Sequence, residues 1–148
     1  MISPEFGRSV RAGALTATVL MLSACGGSGA VDVQEHQGAI ALVAKDSEQG
    51  SDAEIGGVLG LGPGGCLGLL TEGSDAPVPL VWPAGSKLSE DGTSVTVPGL
   101  GEVRPGQTVT GGGGEDSNVE ADRYSDVPEA CLEQGRLVVA ASIRSVTG

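Results

Sequence analysis

Two short apolar segments, Ile55-Gly-Gly-Val-Leu-Gly-Leu61 and Cys66-Leu-Gly-Leu-Leu70, are joined by Gly62-Pro-Gly-Gly65. Short apolar runs bounded by glycine and proline are typical of strands, and a Gly/Pro joint between two of them is typical of a hairpin turn. The joint also matches the G-x-G-x-x-G pattern from Gly60, but that nucleotide-binding fingerprint requires a helix directly after it, whose N-terminus meets the pyrophosphate. The segment that follows is short and interrupted by Gly68. The pattern therefore predicts a β-hairpin.

The chain downstream repeats this alternation of short strand candidates and Gly/Pro turns. The further strand candidates are Pro79–Trp82, Ser94–Val97, Gly101–Val103, Gln107–Thr110 and Arg136–Ile143. Many short strands with turn residues between them predict a mainly β fold. We expect a small antiparallel OB-like barrel with one short late helix, because closure leaves few exposed sheet edges.

The short helix is predicted just before the last strand candidate. Ser125 or Asp126 suits its N-cap, Pro128 suits its first turn, and Gly135 suits its C-terminal end. Cys131 lies within this segment, so a disulfide from Cys131 would attach the helix to the hairpin.

The first 24 residues have the parts of an export signal. Arg8 and Arg11 precede a nine-residue apolar stretch, Ala14–Leu22. As a helix this stretch would rise about 14 Å, too little to span a bilayer. It leads into Leu22-Ser-Ala-Cys25, which resembles the lipobox of bacterial lipoproteins: an aliphatic residue, two small residues and a cysteine.

The resemblance implies that the Cys25 thiol takes a diacylglycerol with acyl chains such as palmitate, and that a peptidase then cuts before this residue. The mature protein would be lipid-anchored on the extracytoplasmic face of the cell membrane, since two or three acyl chains hold a protein there almost permanently. Arg8 and Arg11 are not adjacent, which favours the Sec route over the twin-arginine route. The alternatives are an ordinary signal peptide cut after Ala24, or a short buried helix.

The sequence thus divides into three predicted parts. Residues 1–24 are a signal peptide, residues 25–54 are the lipidated cysteine and a flexible polar linker, and residues 55–148 are the β-barrel domain. The linker opens with Gly26-Gly-Ser-Gly29, a composition typical of a flexible tether. The apolar run Gly38–Ala44 inside it is left open between a strand and a helical turn, because its β-branched content is low.

The charge of the chain excludes several kinds of partner. The full sequence carries a net charge of −11. Residues 1–24 contain one acid, Glu5, and two bases, Arg8 and Arg11, so 18 acids and six bases remain after cleavage and the net charge becomes −12. Nucleic-acid binding needs lysine and arginine to displace counterions, and a polybasic grip on anionic lipid needs them too. Neither mode of binding is expected.

With Cys25 lipidated, Cys66 and Cys131 are left as an even pair. Two cysteines in a small exported domain usually form a disulfide, and the chain-entropy relation gives about 4 kcal/mol of stabilisation for a loop of this length. Free buried thiols are the first alternative. A metal site or a catalytic thiol would need histidine partners, and His36 is the one histidine in the sequence.

Other polar features favour structural over functional interpretations. The carboxylates that would gather a cation or serve catalysis are Glu115, Asp116, Glu120, Asp122 and Asp126. Their spacing lacks the defined loop that calcium needs, so a solvated acidic loop is favoured and no metal site is predicted. Gly111–Gly114 is interpreted as a flexible connection rather than a ligand-approach loop. Trp82 is interpreted as a buried core residue rather than a stacking platform.

Three segments resemble small actinobacterial envelope proteins: Gly65-Cys-Leu-Gly-Leu69, Val81-Trp-Pro-Ala-Gly-Ser86 and Val103-Arg-Pro-Gly-Gln-Thr-Val-Thr-Gly-Gly-Gly113. The resemblance covers roughly residues 65–148 and implies no activity. No Ser-His-Asp or Cys-His set can be assembled around His36. We therefore expect a non-enzymatic, membrane-anchored domain without a cofactor, which binds other envelope proteins or polymers. The alternative is an envelope enzyme or a small-ligand carrier that uses acidic residues near Glu115–Asp126.

Overall fold

The computed structural model describes residues 29–47, 53–119 and 123–148. The predicted signal peptide (1–24) and the predicted lipid-attachment residue Cys25 lie outside these ranges. Within them, no helix combines the length and the apolar character that crossing a bilayer requires.

Strands make up 53% of the described residues and helices 6%, so the predicted mainly β class is confirmed. The strands are β1 (Val31–His36), β2 (Ala39–Ala44), β3 (Ala53–Leu61), β4 (Leu67–Leu70), β5 (Val78–Trp82), β6 (Lys87–Leu88), β7 (Val95–Val97), β8 (Gly101–Val103), β9 (Thr108–Asp116) and β10 (Leu137–Thr147). A 3-10 turn, Pro63–Gly65, separates β3 from β4, and a short helix, α1 (Glu129–Leu132), precedes β10.

Five of the strands close into the predicted OB-like barrel. Their order around the barrel is β3, β4, β5, β10 and β9, with β9 pairing back onto β3. All pairs are antiparallel except β5 with β10, which is parallel. The hairpin predicted at residues 55–70 forms the β3–β4 pair, with Leu61 opposite Leu67. The predicted late helix is α1, and it contains Cys131. Its N-cap is Pro128, so the prediction of Ser125 or Asp126 as N-cap is wrong.

A second hairpin, β1–β2, extends the sheet beyond the barrel. β2 runs parallel to β5, with Leu42 opposite Val81, and Ile40 forms a bridge to Cys66. All six residues of β2 are buried. The prediction of a flexible linker over residues 25–54 is therefore wrong for residues 31–44, which belong to the folded domain, and the open question about residues 38–44 is answered by a strand.

The physical reason for this error is the one-sided burial of β1. It is an edge strand, and Asp32, Glu35 and His36 lie exposed along it. Charged residues on an edge strand discourage pairing with a further chain. The same charges give β1 the composition of a polar linker.

The run Gly111–Gly114 lies inside β9, so its interpretation as a flexible connection is also wrong. It pairs with β3 on one side and β10 on the other. A Cβ on Gly111 or Gly113 would overlap the backbone oxygens of Ser142 and Val139 in β10. β10 bulges twice opposite this run. Bulges and glycines together bend strands sharply at barrel corners.

The apolar side chains form two clusters, one inside the barrel and one outside. Trp82 is fully buried in the inner cluster, as predicted. The large residues around it are Ile55, Leu59, Leu67, Leu69, Val78, Leu80, Val109 and Val138, with Leu88, Val95, Val97 and Val103 from β6–β8. The β6–β8 sheet therefore contributes to the same core as the barrel.

Gln34 of β1 fixes the β1–β2 hairpin to β6. Its side-chain amide donates to the carbonyl oxygen of Ser86 at 3.1 Å and accepts from the backbone N–H of Leu88 at 2.7 Å. A side chain thus takes the place of a neighbouring strand, and the hairpin, the barrel and the β6–β8 sheet are joined.

Candidate functional site

In OB-type barrels, ligands bind over the second and third strands, between the loop that joins the first two strands and the loop that joins the last two. The equivalent loops in this chain are the turn Gly62–Gly65 and the segment 117–136. They touch each other, because a Cβ on Gly64 would overlap the Cβ of Ala130 in α1. The disulfide between Cys66 and Cys131 joins them covalently, with the Cα atoms 5.6 Å apart. The usual ligand cleft is closed at this point.

The outer face of the neighbouring strands is covered as well. The outer cluster joins side chains of β1, β2, β5 and β10 to residues of the 117–136 segment. Its buried members are Val31, Ile40, Leu42, Ala44, Cys66, Val81, Tyr124, Val127, Cys131 and Leu137. This face is therefore covered by side-chain packing and is not open to a ligand.

Asp116, one of the acids of the predicted acidic loop, makes contacts that stabilise the fold. Asp116 accepts a hydrogen bond from the Tyr124 hydroxyl at 2.8 Å and another from the backbone N–H of Asn118 at 3.0 Å. The Arg123 guanidinium lies 3.5 Å from the same carboxylate and 5.6 Å from the centre of the Tyr124 ring. Burial, and then the hydrogen bond to Asp116, raises the pKa of Tyr124 to about 12. Asp116 thus holds the loop in place over the outer cluster.

Glu115 belongs to a different arrangement, centred on Arg136. The Arg136 guanidinium donates to Glu115 at 3.2 Å and also to the hydroxyl of Ser74. The hydroxyls of Ser74 and Thr71 are hydrogen-bonded at 2.8 Å. This chain of contacts fixes the position of a positive charge beside the ends of β4 and β9.

These groups lie on an open groove at one mouth of the barrel, where β3 and β10 begin and β4 and β9 end. The groove has a volume of about 380 Å³, which falls within the common range for ligand pockets, roughly 300–1,000 Å³. Glu54 and Glu72 also line it, and Ile55 and Val138 form its apolar floor. We call this surface the mouth groove.

The mouth groove offers both signs of charge at fixed places. Arg136 is suited to a carboxylate or phosphate, and Glu54 and Glu72 are suited to an amine or to hydroxyl groups. The side-chain carboxylates of Glu54 and Glu72 have no hydrogen bond or ion pair to any residue that the structure describes, although the backbone of Glu54 pairs with β9. The arrangement can therefore orient a polar ligand through several contacts at once.

The three predicted acids that the structure describes do not gather at one point. Glu115 lies in the mouth groove and Asp116 contacts Tyr124, while Asp126 is exposed beside Gly29. Glu120 and Asp122 lie outside the described residues. In residues 29–47, 53–119 and 123–148, no three His, Cys, Asp or Glu side chains come together as a metal ion would require.

A separate group of polar side chains stabilises the β6–β7 turn. Asp91 accepts hydrogen bonds from the hydroxyls of Ser89 and Thr93, at 2.6 and 2.7 Å, and from the backbone N–H of Thr93. These bonds lower the pKa of Asp91 to about 2. The carboxylate is exposed but engaged by its own turn, which is the behaviour of a turn-capping residue.

Sequence reasoning missed Arg136 and Ser74. Their partners lie 21 and 62 residues away along the chain, so no local motif marks them. The signal that was available is scarcity: Arg136 is one of the six bases that follow residue 24, and bases in so acidic a chain are candidates for specific contacts.

Searches against known protein families, curated proteins and solved structures find no match to this chain.

Proposed function

We propose that this chain is an extracytoplasmic lipoprotein, anchored to the cell membrane through Cys25, whose barrel is a non-enzymatic module that binds other envelope proteins or polymers. The observation that carries the anchoring is the position of Leu22-Ser-Ala-Cys25. This lipobox-like tetrapeptide ends four residues before Gly29, which is buried in the domain.

The disulfide supports an exported protein. Cys66 and Cys131 are joined and both are buried. Structural disulfides form and persist in oxidising compartments and are rare in the cytosol of most organisms. A chain that crosses the membrane before folding would form this bond on the extracytoplasmic side.

The disposition of the acids supports binding over catalysis. Glu115 is paired with Arg136, and Asp116 is engaged by Tyr124 and Arg123. A general acid or base must reach the substrate with a suitably tuned pKa, and these two carboxylates are held by partners within the fold. Glu54 and Glu72 face the open groove with Arg136, as in a recognition surface.

A small-ligand carrier is the second candidate, because the mouth groove holds charges of both signs beside an apolar floor. In this version the groove would hold a small polar molecule rather than part of a macromolecule. The interior of the barrel is filled by Trp82 and its apolar neighbours, so a ligand would bind at the mouth.

Anchoring is tested by metabolic labelling with palmitate and by detergent-phase partitioning. The unaltered chain should incorporate label and enter the detergent phase, and Cys25→Ala should do neither. Ser28→Ala is the matched control, because it changes the same segment without touching the thiol. Retention of the Cys25→Ala protein in the detergent phase would contradict the proposal.

Binding is tested by photocrosslinking in intact membranes. A photoreactive residue at position 72 lies in the mouth groove, and one at exposed Glu133 lies outside it. Adducts should form from position 72 and not from position 133, and Arg136→Met should reduce them several-fold. Equal adducts from both positions would remove the groove from the proposal, and adducts of low mass would favour the carrier.

A further inference from the structure

The folded domain begins very close to the predicted anchor. Gly29 is buried, and Ala30 is held by two backbone hydrogen bonds: its N–H donates to the oxygen of Arg123, and its oxygen accepts from the N–H of Lys45, each at 3.1 Å. Three residues, 26–28, separate Cys25 from Gly29. The chain is therefore part of the domain almost as soon as it leaves the lipidated residue.

Covalent geometry limits how far the domain can move from the anchor. Four residue steps span at most about 14 Å when fully extended. A domain of this length has a radius of gyration of about 14 Å, so its diameter is more than twice the tether. The domain cannot turn its opposite side to the bilayer while Cys25 stays in the lipid.

We infer that one defined face of the domain lies against the phospholipid headgroups. This inference rests on the proposed lipid anchoring. The face consists of Gly29–Ala30, Lys45–Asp46 and Arg123–Asp126, which lie together around the point where the chain enters the domain. We call it the anchor face.

The chemistry of the anchor face suits a headgroup layer. Lys45, Asp46, Arg123, Ser125 and Asp126 are exposed there, and the Arg123 guanidinium also lies 3.5 Å from Asp116. The face therefore presents both signs of charge and a hydroxyl. Headgroups such as phosphatidylethanolamine carry a phosphate and an ammonium, which match these groups as ion-pair and hydrogen-bond partners. A short tether raises the effective concentration of the face at the lipid to the millimolar range, so weak contacts suffice.

The same geometry assigns an outward end. β1 leaves the anchor face at Val31 and ends at His36, and its six residues extend for roughly 17–20 Å. The β6–β7 turn meets it there, since a Cβ on Gly92 would overlap the carbonyl oxygen of His36. Exposed Glu90 of this turn therefore lies at the opposite end of β1 from the anchor face.

Fluorescence quenching on vesicles tests the orientation. The lipidated protein would be reconstituted into phosphatidylethanolamine/phosphatidylglycerol vesicles that contain a lipid with a headgroup-level quencher. A probe is attached to Ser125→Cys on the anchor face or to Glu90→Cys at the outward end. Cys66 and Cys131 do not react while their disulfide is intact. The Ser125 probe should be quenched several-fold more strongly, and equal quenching or the reverse order would overturn the inference.

A longer tether provides the matched control. Inserting 20 Gly/Ser residues after Gly27 gives a flexible leash of about 25 Å root-mean-square length, which should abolish most of the difference between the two probes while the protein remains on the vesicles. If the full difference persists, affinity rather than tether length orients the domain, and the argument from covalent reach is overturned.

The outcomes separate the two proposals. If the protein does not stay on vesicles through Cys25, the anchoring itself fails. If it stays but the probes are quenched equally, only the orientation fails. Asp46→Cys is a second anchor-face position should Ser125→Cys disturb folding, which the fluorescence of Trp82 reports.

Discussion

Cys131 of α1 is joined to Cys66, which directly precedes β4, and the two residues lie 65 positions apart in the chain. The bond holds α1 against the barrel at the place where other OB-type barrels open to a ligand. Cys66 and Cys131 also lie in the outer apolar cluster. A covalent link and an apolar contact therefore close the same cleft, whereas the mouth groove stays open and carries fixed charges.

Removing the disulfide should weaken the domain strongly. We expect Cys66→Ala/Cys131→Ala to lower the free energy of unfolding by about 4 kcal/mol, since the unfolded chain regains the entropy of a 65-residue loop. Denaturant titration followed by the fluorescence of Trp82, the one tryptophan in the sequence, measures this change. Cys25→Ala should unfold at the same denaturant concentration as the unaltered domain. A loss well below 2 kcal/mol would contradict this account.

Gly113 should tolerate no side chain, whereas its neighbour Gly112 should. A Cβ at Gly113 meets the backbone oxygen of Val139, which cannot move without distorting β10. A Cβ at Gly112 meets the end of the flexible, exposed Arg144 side chain. We expect Gly113→Ala to cost about 1–3 kcal/mol and Gly112→Ala to change stability by less than about 0.5 kcal/mol. Thermal unfolding compares the stability of the two variants. Equal losses of stability would show that the contact with the Val139 oxygen does not determine the effect.

The glycine run that contains these two residues shows why part of the fold could not be predicted from the sequence. Strands at residues 55–103 are marked by apolar runs and by the turns between them. The run Gly111–Gly114 has no side chains and so carries no periodicity. Its strand conformation depends on pairing with the bulged strand β10, about 30 residues later in the chain. Such long-range pairing leaves no local sequence pattern.

The mouth groove could not be predicted from the sequence for the same reason. Glu115 was among the predicted acids, but Arg136 reaches it only through the pairing of β9 with β10, and Ser74 reaches Arg136 only through the closure of the barrel. The disulfide was predictable, because parity and compartment restrict the choices for three cysteines. A groove assembled from four strand ends offers no such restriction.

Tyr124 should titrate far above its ordinary range and make stability fall at high pH. Its pKa is raised from 10.0 to about 12 in the folded state, so the stabilisation is complete below about pH 10 and is lost as the pH rises through 12. It is the one tyrosine in the sequence, so tyrosinate absorbance at 295 nm reports it directly. Midpoints near 12 for the folded protein and near 10 in denaturant are expected.

A Tyr124→Phe variant separates the contribution of the hydroxyl hydrogen bond to stability from that of the packed ring. It keeps the apolar packing but leaves Asp116 without its 2.8 Å donor, and hydrogen bonds to charged groups contribute about 1.5–3 kcal/mol. Its stability should be lower at pH 7 and should lack the contribution of tyrosine between pH 10 and 12. A variant as stable as the unaltered chain at pH 7 would mean that solvent and Arg123 replace the lost donor.

Replacing Gln34 should lower the stability of the domain more than replacing an exposed polar residue on the same edge strand. Gln34→Ala removes both the donor to Ser86 and the acceptor for the Leu88 N–H, and two such bonds contribute about 1–3 kcal/mol together. Gln34→Glu keeps the acceptor but places a carboxylate against the Ser86 oxygen, so it should be destabilising as well. Glu35→Ala, on the exposed side of the same strand, is the control and should be nearly neutral. Denaturant titration measures all three.

The β1–β2 hairpin should be required for folding. A chain that begins at residue 55 loses Ala39, Ala41 and Val43 from the inner cluster. It also exposes the part of β5, Val81–Trp82, that pairs with β2. We expect it to unfold without a cooperative transition, whereas a chain that begins at Gly29 should keep the stability of the mature domain. Circular dichroism and Trp82 fluorescence during heating compare the two. If the shorter chain melts cooperatively at the same temperature, the hairpin is an appendage rather than part of the domain, and the domain is free to move on a tether much longer than residues 26–28.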